Sequence, residues 1–197
     1  MESLRVVLLV GHLVAFALAL SAVLRGDLLI LFASRLHWNP LRAVSRQVLQ
    51  ALLLLAVTGA GLIWLDFGFE PQRMWASPKL LAKLSVVGLL LANAAVLHRL
   101  AFPALFSPRP AGRSTAAWIS AAGAVSTTSW LFATFLGVAR PLARELGYAG
   151  FMALYAAALA ASLGVALLWV RPRLRRLMDR RAAGIERRPL PALRRAV

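Results

Sequence analysis

The sequence predicts an all-α integral membrane protein: a five-transmembrane-helix bundle with its N-terminus out and its C-terminus in. Three observations predict it. The chain is 60% hydrophobic with a mean hydropathy of +0.73, against about 45–50% apolar residues in ordinary soluble domains. Five apolar runs recur along it, each long enough to cross a hydrocarbon core of about 30 Å. Basic residues gather in alternate connections and at the C-terminus, as the positive-inside rule requires. The spans must be helices, because a segment in lipid satisfies its own backbone hydrogen bonds. The runs are too evenly apolar for the alternation of a membrane β-barrel.

The first span covers about Val6–Leu24. Arg25 and Asp27 close it, and Leu28-Leu29-Ile30-Leu31-Phe32 continues as an amphipathic stretch at the inner interface. Trp38-Asn39-Pro40 ends that stretch, since the residue before a proline leaves the α region. Ala17-Leu18-Ala19 matches a signal-peptide cleavage pattern, but Glu2 beside Arg5 leaves the preceding region barely positive, so the run reads as a retained span. The second span is about Val48–Leu65, and its Gly59-Ala60-Gly61 surface permits close helix packing or a flat cofactor. Pro71 and Ser77-Pro78 mark the outer loop, with Pro78 suited to a first helical turn. The third span is Leu80–Leu97, followed by an inner loop kept irregular by Pro103, Pro108 and Pro110. Spans four (Ala116–Val138) and five (Tyr148–Val170) are rich in alanine, serine and glycine, which suits close packing in lipid. Residues 1–170 thus form the membrane domain and 171–197 a basic tail. That tail starts as a short basic helix and ends, with Gly184, Pro189 and Pro191, in disorder.

Charge sets the orientation. Arg25, Arg35, Arg42 and Arg46 follow span one, and Arg99, Arg109 and Arg113 follow span three. Ten arginines lie in the last 27 residues, opposed only by Asp179 and Glu186. In a soluble protein such a tail suggests nucleic acid. Directly after a span it reads instead as a positive-inside tail touching anionic lipid headgroups, with no nucleic-acid partner. Trp64, Trp75, Trp118 and Trp169 fall near span ends, as an interfacial belt would. The localisation this implies is the bacterial inner (plasma) membrane, multi-pass.

Several chemistries are excluded. There is no cysteine, hence no disulfide, thiolate metal site or covalent c-type haem. No acidic residue enters a span core, which argues against an acid-based proton or cation relay. Met1, Met74, Met152 and Met178 form no cluster that would carry copper. No G-x-S-x-G, Walker A or H-E-x-x-H motif is present.

What remains is a level. At a rise of about 1.5 Å per residue, His12 lies roughly 9 Å below the outer boundary and Lys83 about 5–6 Å. By the same count Thr58 and Tyr155 lie about 10 Å down, and Ser129 and Trp130 about 12–14 Å. Each span therefore places a polar side chain in the outer half. An ionisable group at that depth is costly, about 2.5–3.5 kcal/mol for lysine on insertion scales, and usually faces a protein interior or cavity. His12 is either a helix-bridging hydrogen-bonder or a haem or metal ligand. Lys83 either snorkels to the interface or meets a carboxylate. Thr58, Ser129 and Tyr155 are packing glue or site residues, Trp130 a cavity wall, and Asn93 a helix bridge. His37 and His98 lie at the inner boundary, so His12 and His98 do not share one iron.

The pattern Val10-Gly11-His12-Leu13, then Pro78-Lys79-Leu80-Leu81-Ala82-Lys83-Leu84, then Leu97-His98-Arg99 resembles small bacterial helical membrane proteins of the HemJ and CopD type. With Ser129-Trp130 and Tyr155, the whole chain is similar to a poorly described five-span bacterial group. Leu13-Val14-Ala15-Phe16 differs from the tryptophan- and glycine-rich continuation of HemJ-type proteins. The resemblance implies b-type haem or a related tetrapyrrole in the outer half, serving electron transfer or porphyrin oxidation. It implies His12 as axial metal ligand and Lys83 against a tetrapyrrole carboxylate. Gly59 and Gly61 would admit the ring, with Thr58, Ser129, Trp130 and Tyr155 around it. Two further readings stay open: a non-catalytic membrane subunit or scaffold that docks a membrane protein partner or a second copy, and a small transporter, which the lack of an internal repeat disfavours.

Overall fold

The computed structural model describes residues 1–32, 38–107, 112–139 and 141–186. Among the described residues all regular structure is helical. In chain order the helices are α1 (Glu2–Phe32), α2 (Trp38–Phe67), α3 (Pro71–Trp75), α4 (Pro78–Val96), α5 (Phe102–Leu105), α6 (Arg113–Val138), α7 (Ala143–Val165) and α8 (Arg171–Glu186). Two π-helical turns, Leu97–Ala101 and Ala166–Val170, join α4 to α5 and α7 to α8 without a break. Five helical stretches are long and apolar enough to cross a membrane: Glu2–Phe32, Asn39–Phe67, Pro78–Leu105, Ser114–Val138 and Ala143–Gly184. The chain is a multi-pass membrane protein by that measure.

Each span is longer than its apolar run, for local reasons. α1 carries Arg25 and Asp27 within the helix and ends only at Phe32. Pro40 lies in the first turn of α2, where its missing N–H is no loss. α4 starts at Pro78, as the sequence predicts, and the Ser77 hydroxyl accepts from the Leu80 N–H at 3.4 Å. Gly147, at φ 56°, kinks the start of α7, so the straight helix runs from Tyr148. The π turns have a common cause. Pro103 and Pro172 each lack the N–H that the carbonyl four residues earlier would accept. The helix answers by widening one turn instead of breaking. His37, Pro108, Pro110 and the end of the tail lie outside the described residues.

α1 and α2 form an intimate antiparallel hairpin, and α2 packs on little besides α1. Two glycines permit the closeness. A Cβ on Gly61 would stand 2.9 Å from Leu8 Cδ1, and one on Gly59 would stand 3.4 Å from His12 Cε1. α4, α6 and α7 form a second, three-helix group. Its apolar core is Ala82, Val86, Phe132, Leu136, Phe151 and Tyr155. Trp130, 1% exposed, joins hairpin to group by packing with Ala19, Val23, Ala51, Leu52 and Leu90. A third cluster closes the arginine-rich end, where Leu174, Leu177 and Met178 of α8 pack on Leu41, Leu105 and Ile119. At the opposite, N-terminal end, Arg5 pairs with Asp66 at 3.0 Å, and the Lys79 ammonium donates to the Gly137 carbonyl at 3.2 Å. That last contact places a cation where the α6 dipole favours one.

Candidate functional site

The polar residues at the predicted level resolve into two groups. The first bridges the hairpin. The Thr58 hydroxyl donates to the Leu54 carbonyl at 2.7 Å, so its oxygen accepts from the His12 Nδ1–H at 2.9 Å. With the Thr58 proton so assigned, Nδ1 is the donor and Nε2 carries the lone pair, and the Leu55 carbonyl is a further acceptor at the ring. Gly59 seats the ring edge, and a Cβ on Gly11 would stand 3.7 Å from Thr58 Cγ2. Lys83, half-buried on α4, lies within electrostatic range of that imidazole. Lys83 and His12 thus stand within electrostatic range of each other, on helices that hardly touch.

The second group lies inside the three-helix core. The Ser129 hydroxyl donates to the Val125 carbonyl at 2.6 Å and meets the Tyr155 hydroxyl at 2.8 Å. Ser129 is fully buried, Tyr155 is 4% exposed, and Phe132 stacks on Tyr155 with ring centroids 5.1 Å apart. Trp130, tilted against Phe16 at 5.4 Å, belongs to the joint between hairpin and group. The eight residues therefore do not line one chamber. Gly61 is set against Leu8 and Gly59 against His12, so both glycines serve the hairpin contact.

His98 stands apart. Ser45 hydrogen-bonds its ring (3.1 Å to Nδ1), and Phe102 meets it edge-on at 5.7 Å. Ser45 and Thr58 are thirteen residues apart on α2, about 20 Å along the axis. His12 and His98 accordingly engage different ends of the same helix. Asn93 bridges helices as predicted, its amide donating to the Ala122 carbonyl at 2.9 Å. Among the described residues no three His, Cys, Asp or Glu side chains gather to hold a bare metal ion.

Sequence reasoning missed one residue here. Asp27, just beyond the predicted first span, stays inside α1 and accepts from the Thr127 hydroxyl at 2.6 Å. Thr127 lies near the middle of α6. The apolar run Leu28 to Phe32 carries the helix past Arg25 and Asp27, as the sequence predicts, but nothing in the sequence pairs the Asp27 carboxylate with Thr127.

Comparison of the chain with protein-family models, with curated proteins and with solved structures finds no match.

Proposed function

We propose that this protein sits in the bacterial inner membrane with its N-terminus out and holds b-type haem or a related tetrapyrrole near the N-terminal end, for electron transfer or porphyrin oxidation. One observation carries the reading: His12, held across the hairpin by the Thr58 bond, lies within electrostatic range of the Lys83 cation. The donor chemistry fits. A neutral imidazole held through its other nitrogen is a ready axial ligand, and an ammonium in lipid suits a carboxylate. A tetrapyrrole brings its own four nitrogens, so no cluster of protein ligands is needed. Bound iron would supply the one-electron chemistry. The chain's own part is to ligate through His12, to offset a carboxylate charge with Lys83, and to hold the imidazole with Thr58. The glycine face is no longer assigned to the ring, because His12 and Leu8 occupy it. The orientation rests on Arg25, Arg42, Arg46, Arg99 and the arginines of α8, all toward one end.

The test is the reduced-minus-oxidised visible spectrum of the purified protein beside His12→Ala. Soret and α bands present in the wild type and lost in a folded variant support the proposal. A colourless wild type from haem-replete cells overturns it.

A second reading, a non-catalytic membrane subunit, is favoured by the closed polar pairs of the core. Ser129–Tyr155, Thr128–Ser162 (2.6 Å) and Asn93–Ala122 satisfy one another inside the protein. It predicts a colourless protein that co-purifies with other chains and tolerates His12→Ala.

A further inference from the structure

A groove of about 520 Å³ runs along the junction of α7 and α8. Its two ends differ in chemistry. Leu167 and Leu168 line one end, and Leu168 is 74% exposed beside Trp169 at 79%. Arg171, Arg175 and Arg176 line the other, with Pro172 between the two ends and Asp179 at the far edge. Helical spacing makes this a single face: three, then four, then four residues separate Leu168, Arg171, Arg175 and Asp179. The change from apolar wall to guanidinium takes about 4.5 Å of helix rise, and Arg175 follows about 6 Å further on. A surface with apolar side chains above and fixed cations a few ångströms below matches the boundary between acyl chain and phosphate in a membrane lipid.

The charge is not self-contained. Three arginines face one aspartate, so the groove carries 3 − 1 = +2. Asp179 stands 3.7 Å from Arg175 Nε, an ion pair but too long for a hydrogen bond. The Arg175 side chain is 43% exposed, so its guanidinium keeps surface open to a ligand. A phosphate oxygen is the acceptor guanidinium groups suit best.

We propose that this groove binds one anionic phospholipid, its phosphate seated by Arg171, Arg175 and Arg176 and its first acyl carbons along Leu167 and Leu168. A bare cation is refused by the charge, and a hydrated polyanion has no use for the leucine end. The chain's own residues 187–197 carry four arginines and no acidic side chain, so they are of the wrong sign to fill it. The site is independent of the haem reading and of the direction of insertion.

The experiment is native mass spectrometry of the full-length protein in a zwitterionic detergent. The probes are phosphatidylglycerol, phosphatidylcholine of the same acyl chains, and inorganic phosphate. One phosphatidylglycerol should be retained at least roughly tenfold better than phosphatidylcholine. Arg171→Gln with Arg175→Gln should erase the preference, Leu168→Gln should weaken retention, and Asp179→Asn should strengthen it. Arg99→Gln with Arg180→Gln removes the same two charges from exposed residues outside the groove, and should change retention less than about twofold. Equal losses from this pair and the groove pair would mean diffuse surface charge and overturn the site. Displacement of phosphatidylglycerol by millimolar phosphate would mean an anion site with no lipid part, and overturn it too. Because the double arginine variant can also fail by misfolding, Asp179→Asn decides alone: no gain in retention refutes the proposal.

Discussion

Trp130→Ala tests the joint between the two halves of the fold. The indole is the large side chain by which α6 reaches both α1 and α2, with Phe16, Ala19, Ala51 and Leu52 around it. Little transfer energy is lost in lipid, which is as apolar as the core. What is lost is packing. A void on the order of 100 Å³ at about 24 cal/mol per Å³ costs roughly 2.4 kcal/mol. That is a shift of about 60-fold in the folded ratio. Trp130→Phe, which keeps a ring in the site, should lose about half as much. The assay is an equilibrium detergent-unfolding titration with a distance probe between α1 and α6. The chain has no cysteine, so two introduced at exposed positions report cleanly. A loss below about 0.5 kcal/mol, or an unchanged α1–α6 distance in Trp130→Ala, would refute the idea that this side chain fastens the hairpin.

In the same titration a double-mutant cycle of His12→Ala and Thr58→Val should return a coupling of about 0.6–1.7 kcal/mol, the range for hydrogen bonds between helices in lipid. A coupling indistinguishable from zero would mean that the bond in α1–α2 is not formed in the membrane. Thr127→Val should destabilise by about 1.5–3 kcal/mol, because it strips a charge-assisted donor from Asp27. In an Asp27→Leu background the same change should be nearly silent, and an undiminished effect there would show that Thr127 acts through packing alone.

The five spans were legible because length and hydropathy leave a membrane chain few alternatives. Pro78 and Tyr148 mark true starts, one as a first-turn proline and the other as the residue after the Gly147 kink. The candidate site was half legible. Counting rise along each helix placed His12, Thr58, Lys83, Ser129 and Tyr155 at one level, and of these His12 meets Thr58 and Ser129 meets Tyr155. Rise says nothing about azimuth, however. Ser129 and Tyr155 face the interior of α4, α6 and α7, with Trp130 on the opposite side toward the hairpin. The Asp27–Thr127 bond was missed for the same reason, since rise does not say which way a carboxylate faces.

The π turn at Ala166–Val170 has a consequence for the arginines. The bundle side of α7 steps through Phe151, Tyr155 and Ala166. Continuing at 3.6 residues per turn would bring Arg173 and Arg180 inward. The residues found inward are Leu174, Leu177, Met178 and Ala182, a face centred about one position later. The wide turn is a phase slip of about one residue, or about 100°. It acts as a reading frame in three dimensions: wind this turn back to α at constant length and α8 rotates by about 100°, carrying Arg173 and Arg180 toward the bundle. Pro172, by withholding a single N–H, keeps that frame and leaves Arg173 and Arg180 exposed.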